Sequence, residues 1–359
     1  MFVSDFFFFI PFLFSSAYIW TIFFKLNFFN VKSLIKDSVT LTANRSILGS
    51  DLFSFFFNVA LLNFLFLFVY MFNFRGIVDN FWWSHFRLSN TSFFLFFLVF
   101  FFGYLYIYVY SRNQLKSYSI KVDYFFAVVN LILSIPILFF VNTLYTFFFF
   151  LELCSCLIFY KFVVSKITYA KNLNNAKKTG GYLSFLENSY MNMLFFNFWA
   201  TFFSSVFFMY IIIYFFFFFG TTEWFFINYF NSYNLTSGDI NIRLYLFSFI
   251  ILFSFLLKVG FAPLQLYKIE VYRGLNIFSI FFYTNFYLFS YFLIFVNFYL
   301  YYLNTFISYW WWFSLIIVIA GAIYLLTLMF DVTILKSFFA YSSIANILFI
   351  FCVVLSVYS

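Results

Sequence analysis

The chain alternates between long apolar runs and short segments that hold most of its polar residues. A helix needs about 20 mostly apolar residues to cross a bilayer. The apolar block 124–160 is too long for one such helix, and Pro136 weakens a continuous helix within it, so we divide it near Asn142. The pattern then predicts an all-α, polytopic transmembrane bundle of ten helices. In chain order they cover residues 6–24, 52–72, 93–110, 124–142, 143–160, 190–219, 244–263, 277–300, 306–330 and 337–358.

The composition supports a lipid environment. The chain is 66% hydrophobic and 8% charged, whereas a soluble globular protein has roughly 45–50% apolar and about 25% charged residues. A soluble fold of 359 residues would need more charged side chains to cover its surface. The 75 Phe residues exceed what membrane partitioning explains, because Leu partitions into hydrocarbon as well as Phe does. We attribute this excess to AT-rich codons, as in some organelle genomes.

The basic residues predict an orientation for the spans. Loops on the inner side of a membrane carry an excess of Lys and Arg. With both chain termini outside, the only loop cations on the outer side are Arg75, Arg87 and Arg243. Every other Lys and Arg lies in an inner loop, except Lys258, which lies within a span. Because the net charge of +8 is spread over short loops, we do not expect nucleic acid as a partner.

Two ionisable residues lie inside apolar runs, Glu152 in the fifth span and Lys258 in the seventh. A charge at the centre of a bilayer costs on the order of 2.5–3.5 kcal/mol. Paired across the bundle, the two residues would stabilise each other's charged form and could relay a proton, which is the reading we favour. Glu152 could instead be a protonated carboxyl bonded between helices. Lys258 could instead extend toward the inner loop that holds Lys268 and Arg273.

The seventh span should break shortly after Lys258. Pro263 cannot donate a hydrogen bond to the carbonyl of Val259, its ring crowds that carbonyl, and Gly260 lies between the two. Unpaired carbonyls at membrane depth are tolerated only against protein or a water-filled cavity. Transporters build ion sites at such discontinuous helices, so Gly260 and Pro263 mark a candidate site beside the lysine.

The sequence predicts no cofactor and no metal site. It has no Gly-rich nucleotide-binding loop. His85 is the only histidine, and Cys154 and Cys156 would point to different faces of one helix.

Three stretches resemble motifs of the subunit 2 family of NADH:ubiquinone oxidoreductase, respiratory complex I. Residues 257–274 are similar to the family's K-x-G-x-x-P-F-H-x-W-x-P-D/E-V-Y-x-G at the end of helix seven. Residues 141–155 resemble its N-N-L-x-T and L-E-L-x-S passage from helix four to helix five. Residues 336–346 resemble K-R-x-x-A-Y-S-S-I-x-H at the start of helix ten. The three occur in the family's order on the corresponding predicted spans, which makes the set specific.

The resemblance implies an antiporter-like fold with inverted repeats. It divides the chain into three N-terminal helices at 1–123, a five-helix repeat at 124–303 and the start of a second repeat at 304–359. On this match Glu152 and Lys258 belong to a proton channel, and Lys336 is the basic residue that opens helix ten. The chain would then be a non-redox subunit of a proton-translocating NADH:ubiquinone reductase, with no catalytic chemistry of its own.

The sequence also departs from the family pattern. A second lysine, expected in helix eight, is replaced by Leu288. The motif His is Gln265, the motif Trp is Tyr267, and a later His is Asn346. The family has fourteen helices, so the chain looks truncated or split. We expect a separate polypeptide to supply the remaining helices, with other membrane-arm subunits and lipids as further partners.

Three functions are compatible with the sequence. The first is a proton-translocating subunit of complex I in the mitochondrial inner membrane, encoded in the organelle. The second is a stand-alone cation/proton antiporter subunit with the same ancestral motifs. The third is a scaffold of complex I that no longer conducts protons, which Leu288 favours.

Overall fold

The computed structural model of the chain describes most of the residues from 62 onward. They are 62–63, 65–72, 80–114, 122–173, 180–227, 229, 242–261, 264–275, 277–302, 304–330, 332 and 334–356. The first predicted span, 6–24, lies outside the described residues, as does Pro263. Of the second predicted span, residues 62–63 and 65–72 are described, and they are helical.

Helices account for nearly all of the described chain, as expected where the backbone must satisfy its own hydrogen bonds in hydrocarbon. A short antiparallel hairpin of β1 (Asn80–Phe81) and β2 (Phe86–Arg87) lies between the helical residues 65–72 and the helices that follow. The helical path also contains a 3-10 turn (Leu138–Phe140) and a π-helical turn (Tyr283–Leu288). The helices are α1 (Asn90–Gln114), α2 (Val122–Ile137), α3 (Leu144–Leu173), α4 (Gly180–Phe219), α5 (Ile242–Val259), α6 (Leu266–Gly274), α7 (Ile277–Phe282), α8 (Phe289–Tyr302), α9 (Asn304–Phe330) and α10 (Leu335–Ser356).

Within the described residues, six helical segments are long and apolar enough to cross a membrane. They are Asn90–Val109, Leu144–Val163, Ser189–Phe219, Ser279–Asn297, Trp311–Phe330 and Leu335–Val353. Two shorter apolar helices, Ala127–Phe140 and Phe249–Val259, fall on the fourth and seventh predicted spans. The predicted all-α, polytopic bundle is therefore confirmed, with six of the predicted spans long enough to cross a membrane and the fourth and seventh present as shorter helices.

The long apolar block is divided where the sequence predicts. Pro136 lies within α2, and the helical path ends only after it, at Val141, whose backbone is extended (φ −67°, ψ 132°). The carbonyl of Asn142 accepts a hydrogen bond from the backbone N–H of Trp224 at 3.1 Å. The break between the fourth and fifth spans is thus fixed by pairing with the segment that follows α4.

Lys161 is an exception to the predicted loop positions. We place it in an inner loop from sequence, but α3 continues to Leu173, so Lys161 falls within the span Leu144–Val163 and is fully buried. The helix continues because the apolar residues Phe162 and Val163 follow the lysine directly.

The chain forms two compact units. One contains residues up to Val141 together with Cys156–Asn172, and the other contains Asn142–Ser155 together with the residues from Leu173 onward. In the first unit, α1 packs against the 3-10 turn and α2. In the second unit, α4 packs against α5 and α6, and α10 packs against α6 and α9. The division at residues 123 and 303 that the resemblance implies stays a prediction.

Loops assigned to the same side of the membrane meet within each unit. In the first unit, Phe86 of the hairpin pairs with Val141. In the second unit, Thr143 pairs with Glu223, and the loops after α6 and α9 meet where Lys336 reaches the end of α6. These contacts fit the predicted alternation of the spans, and the absolute orientation stays a prediction.

The close approach of α4 and α6 depends on Gly274. A Cβ atom added there would lie 2.6 Å from Met193 Cβ and 3.0 Å from the carbonyl oxygen of Ser189. Neither atom can rotate away, so we expect Gly274→Ala to destabilise the chain by about 1–3 kcal/mol, the usual cost of overpacking. The temperature at which the chain aggregates in detergent-solubilised membranes measures this loss.

Arg273→Ala is the control for this substitution, because it changes the exposed neighbouring residue. It removes an exposed ion pair with Glu270, which is worth about 0–1 kcal/mol. An aggregation temperature for Gly274→Ala equal to that of the parent chain would contradict the packing argument.

Candidate functional site

Glu152 and Lys258 lie in contact in the structure. Lys258 Nζ donates a hydrogen bond to Glu152 Oε1 at 3.3 Å. The contact joins α3 to the last turn of α5, over a separation of 106 residues in the chain. The lysine side chain is 3% exposed and the glutamate side chain 31%. Protein therefore encloses the ammonium group, while the carboxylate keeps an opening.

The carboxylate of Glu152 has a second donor on its own helix. Ser155 Oγ lies 3.2 Å from Glu152 Oε2 and 2.8 Å from the carbonyl oxygen of Glu152. The position of Ser155 three residues after Glu152 places both on one face of α3. Each carboxylate oxygen thus has its own partner, and the hydroxyl can follow a change in the proton occupancy of the carboxyl group.

Lys258 is held by an aromatic ring and by the turn that follows it. Its Nζ lies 5.9 Å from the centre of the Tyr291 ring, within the range of a cation–π interaction. The backbone carbonyl of Lys258 accepts a hydrogen bond from Tyr267 Oη at 2.7 Å. That carbonyl belongs to the last turn of α5, where the next helical turn is missing, so Tyr267 satisfies an acceptor that the helix leaves open.

A column of tyrosines continues from the lysine along α8 and the π-helical turn. The Tyr287 and Tyr291 rings lie 6.2 Å apart, and those of Tyr283 and Tyr287 5.6 Å apart. Tyr272 of α6 follows at 6.0 Å from Tyr283 and donates to Ser343 Oγ of α10. Residues 283, 287 and 291 repeat at the spacing of one helical face.

The predicted break in the seventh span is present at Gly260. α5 ends at Val259, Gly260 has φ +73°, and the chain becomes helical again at Leu266. A Cβ atom at Gly260 would lie 2.9 Å from Lys268 Cδ and 3.1 Å from Tyr267 Oη. Glycine is therefore required for two reasons, a left-handed backbone and the close approach of α6.

The break brings in two polar residues to which we give no role from sequence. Gln265 and Lys268 are both fully buried. In the described part of the chain, neither the Gln265 amide nor Lys268 Nζ has a hydrogen-bond partner. Burial lowers the pKa of Lys268, which lies outside the candidate spans, to about 7. The signal in the sequence is a lysine set directly between the motif positions Tyr267 and Ile269, which are aromatic and apolar.

Lys336 lies away from the pair and caps a helix. Its Nζ donates to the carbonyl oxygens of Leu275 at 2.7 Å and of Arg273 at 3.4 Å. These carbonyls belong to the C-terminal end of α6, where a cation is favourable. The structure does not bring Lys336 to Glu152 or Lys258, and any proton-carrying role for it stays a prediction.

Comparison with known proteins identifies the fold but not the family. No protein-family model matches the chain. The chain is 39% identical to the uncharacterized mitochondrial protein ORF4 of Paramecium tetraurelia over 74 residues, which are 20% of this chain and 47% of that protein. Its fold is similar to a chain in the structure of respiratory complex I from Thermus thermophilus with bound aureothin. The TM-score is 0.59 and the identity 12%, over 93% of this chain and 62% of that chain.

Both matches span less than two thirds of the other protein's length. At 12% identity the structural likeness shows the fold alone. Together with the candidate spans, it shows that this chain has the all-α membrane fold of a chain of complex I.

The capping role of Lys336 predicts a loss of stability on substitution. Lys336→Met removes the cation from the end of α6 and should destabilise the chain by about 1 kcal/mol, whereas Lys336→Arg keeps the charge and the donors. Thermal aggregation in solubilised membranes compares the two variants. Equal stability of Lys336→Met and the parent chain would show that the cap is dispensable.

Proposed function

We propose that the chain is the antiporter-like subunit 2 of the membrane arm of mitochondrial NADH:ubiquinone oxidoreductase, and that Glu152 and Lys258 carry protons through it. The observation that carries the proposal is the hydrogen bond between these two side chains inside an apolar helix bundle. The fold shared with a chain of complex I supports it. The subunit has no redox chemistry of its own, and redox chemistry elsewhere in the enzyme drives the proton transfer.

The charge of Glu152 affects how strongly Lys258 holds its proton, and the charge of Lys258 affects Glu152 in the same way. Two unit charges about 4 Å apart attract by roughly 4 kcal/mol at an effective dielectric constant near 20. While Glu152 is a carboxylate, this attraction holds the proton on Lys258. A proton that reaches Glu152 through its exposed side removes the attraction, and the lysine then releases its own proton into the bundle. Loading at the carboxyl group is thus coupled to release at the amine.

The choice of subunit 2 rests on the three motifs that occur in the family's order. The stretch that resembles the helix-seven motif includes the end of α5 with Lys258, the break at Gly260 and α6. The helix-five motif contains Glu152 and its partner Ser155. The residues that resemble the family motifs are the residues that form the candidate site. This supports a role in proton transfer more strongly than a resemblance between apolar runs would.

In this proposal a separate polypeptide covers α9 and α10. Asn346 lies within the candidate span Leu335–Val353 and is exposed, and an amide that faces hydrocarbon is unfavourable. Helices from a partner would remove it from lipid, and other membrane-arm subunits and lipids would cover the remaining apolar faces.

We place the chain in the mitochondrial inner membrane as a multi-pass protein with both termini toward the intermembrane space. The similarity to a mitochondrial protein of Paramecium supports the compartment. The excess of basic residues in alternate loops supports the orientation.

A scaffold role within the same complex is the second candidate. Leu288 is buried in the π-helical turn, at the position where the family has its second lysine. A scaffold would keep the fold and the contacts with other subunits but would not need Lys258 to exchange a proton.

Substitution of the pair separates these two functions. Lys258→Met should lower the number of protons translocated per electron in membranes that contain the assembled complex, because methionine fills the same space but carries no proton. Glu152→Gln should lower it as well. The double variant should lose no more than the larger single loss, because residues that act as one unit are not additive.

Native gels stained for NADH dehydrogenase activity control for assembly of each variant. If assembled complexes with Lys258→Met or Glu152→Gln translocate the parent number of protons per electron, the chain is a scaffold and the proton-transfer proposal is wrong.

A further inference from the structure

In the part of the chain that the structure describes, the polar groups buried next to the helix break have no hydrogen-bond partner. Lys268 and Gln265 are fully buried, and in the described residues no hydrogen bond is made by Lys268 Nζ or by either end of the Gln265 amide. A buried polar group left without a partner costs about 1–3 kcal/mol. Folded proteins satisfy such groups with ordered water, which typically makes about three hydrogen bonds. An ammonium group and an amide supply suitable donors and acceptors for it.

This cluster lies directly against the turn that follows Lys258. The stem of Lys268 passes over Gly260, with its Cδ 2.9 Å from the position a Cβ atom would take. Tyr267 lies against the same point and bonds to the carbonyl of Lys258. Two buried lysines therefore flank one helix break, one at the end of α5 and the other in the first turn of α6.

The charges around the two lysines are unequal. Lys258 has the carboxylate of Glu152. The other acid on α6, Glu270, is paired with Arg273 at 2.7 Å on an exposed face. Lys336 of α10 adds a further cation at the far end of α6. In the described residues, no salt bridge joins Lys268 to a carboxylate, so no opposite charge holds a proton on Lys268.

We infer that Lys268 is a second proton-carrying lysine, which exchanges a proton with Lys258 through water bound at Gln265 and the helix break. In the exchange, the ammonium group of Lys268 gives a proton to the neutral amine of Lys258. Lys268 is then a neutral amine, and Lys258 is an ammonium ion. The inference rests on the proposed proton transfer by Lys258. It assigns the group that returns a proton to Lys258 after that release, and Lys268 belongs to the loop predicted to face the inner side of the membrane.

This assignment accounts for two features of the chain together. It gives the buried Lys268 and Gln265 a reason to be polar, and it supplies an exchange partner for Lys258 although position 288 is an apolar leucine. A lysine kept only for stability would be expected to bond to a carboxylate or to carbonyls, as Lys336 does.

Four substitutions in the assembled complex test the inference. Lys268→Met should lower the number of protons translocated per electron to the level of Lys258→Met. Lys268→Arg should lower it equally, because arginine keeps the charge but does not release its proton. Lys268→His should retain translocation, because imidazole both binds and releases a proton near neutral pH. Arg273→Met, on the exposed face of the same helix, should match the parent complex.

The arginine and histidine variants distinguish proton exchange from a structural charge. If Lys268→Arg keeps the parent number of protons per electron, or if Lys268→His loses as much as Lys268→Met, the inference is wrong. Should Lys268→Met not assemble on native gels, Gln265→Leu replaces it. That variant should slow proton translocation at unchanged assembly, and a parent rate would overturn the inference.

The outcome also separates this inference from the proposed function. A loss in Lys258→Met with none in Lys268→Met refutes only the role of Lys268. No loss in either variant refutes both.

Discussion

A charged pair held inside an apolar bundle is the constraint on which the structure depends. Neither Glu152 nor Lys258 would be stable alone at membrane depth, because each would lose its hydration without gaining a partner. The 3.3 Å hydrogen bond between them therefore fixes α3 against the end of α5. An apolar pair would hold the helices together at less cost. The proposed proton transfer gives a reason to keep two ionisable groups there.

The helix break brings α6 against the end of α5 that carries Lys258. Since Gly260 takes a left-handed conformation, α5 stops one residue after the lysine, and the chain becomes helical again in α6 beside the break. Tyr267 then satisfies the free carbonyl of Lys258, and Lys268 enters the space that a side chain at Gly260 would fill. One glycine thus creates the open helix end and the polar cluster beside it. Lys336 closes the far end of α6.

The sequence predicts the spans and the charged pair because both depend on strong local signals. Long apolar runs have few alternatives to a spanning helix, and Glu152 and Lys258 stand out within them. The burial of Lys161 and Lys268 was not predictable in this way. A lysine at the edge of an apolar run can belong to a loop or to a helix interior, and only the packing of neighbouring helices decides which. The tyrosine column was hidden for another reason, since aromatic residues are abundant throughout the chain.

Infrared difference spectroscopy of the assembled complex during NADH oxidation tests the central claim most directly, because it observes the carboxyl group itself. The account predicts a carbonyl band of a protonated carboxyl group that appears during turnover, shifts in D₂O and is absent in Glu152→Gln. The same band should be altered in Lys258→Met, since the lysine is the partner of that carboxyl group. A turnover spectrum that is identical in the parent complex and in Glu152→Gln would show that Glu152 never changes its protonation state, and it would contradict the account.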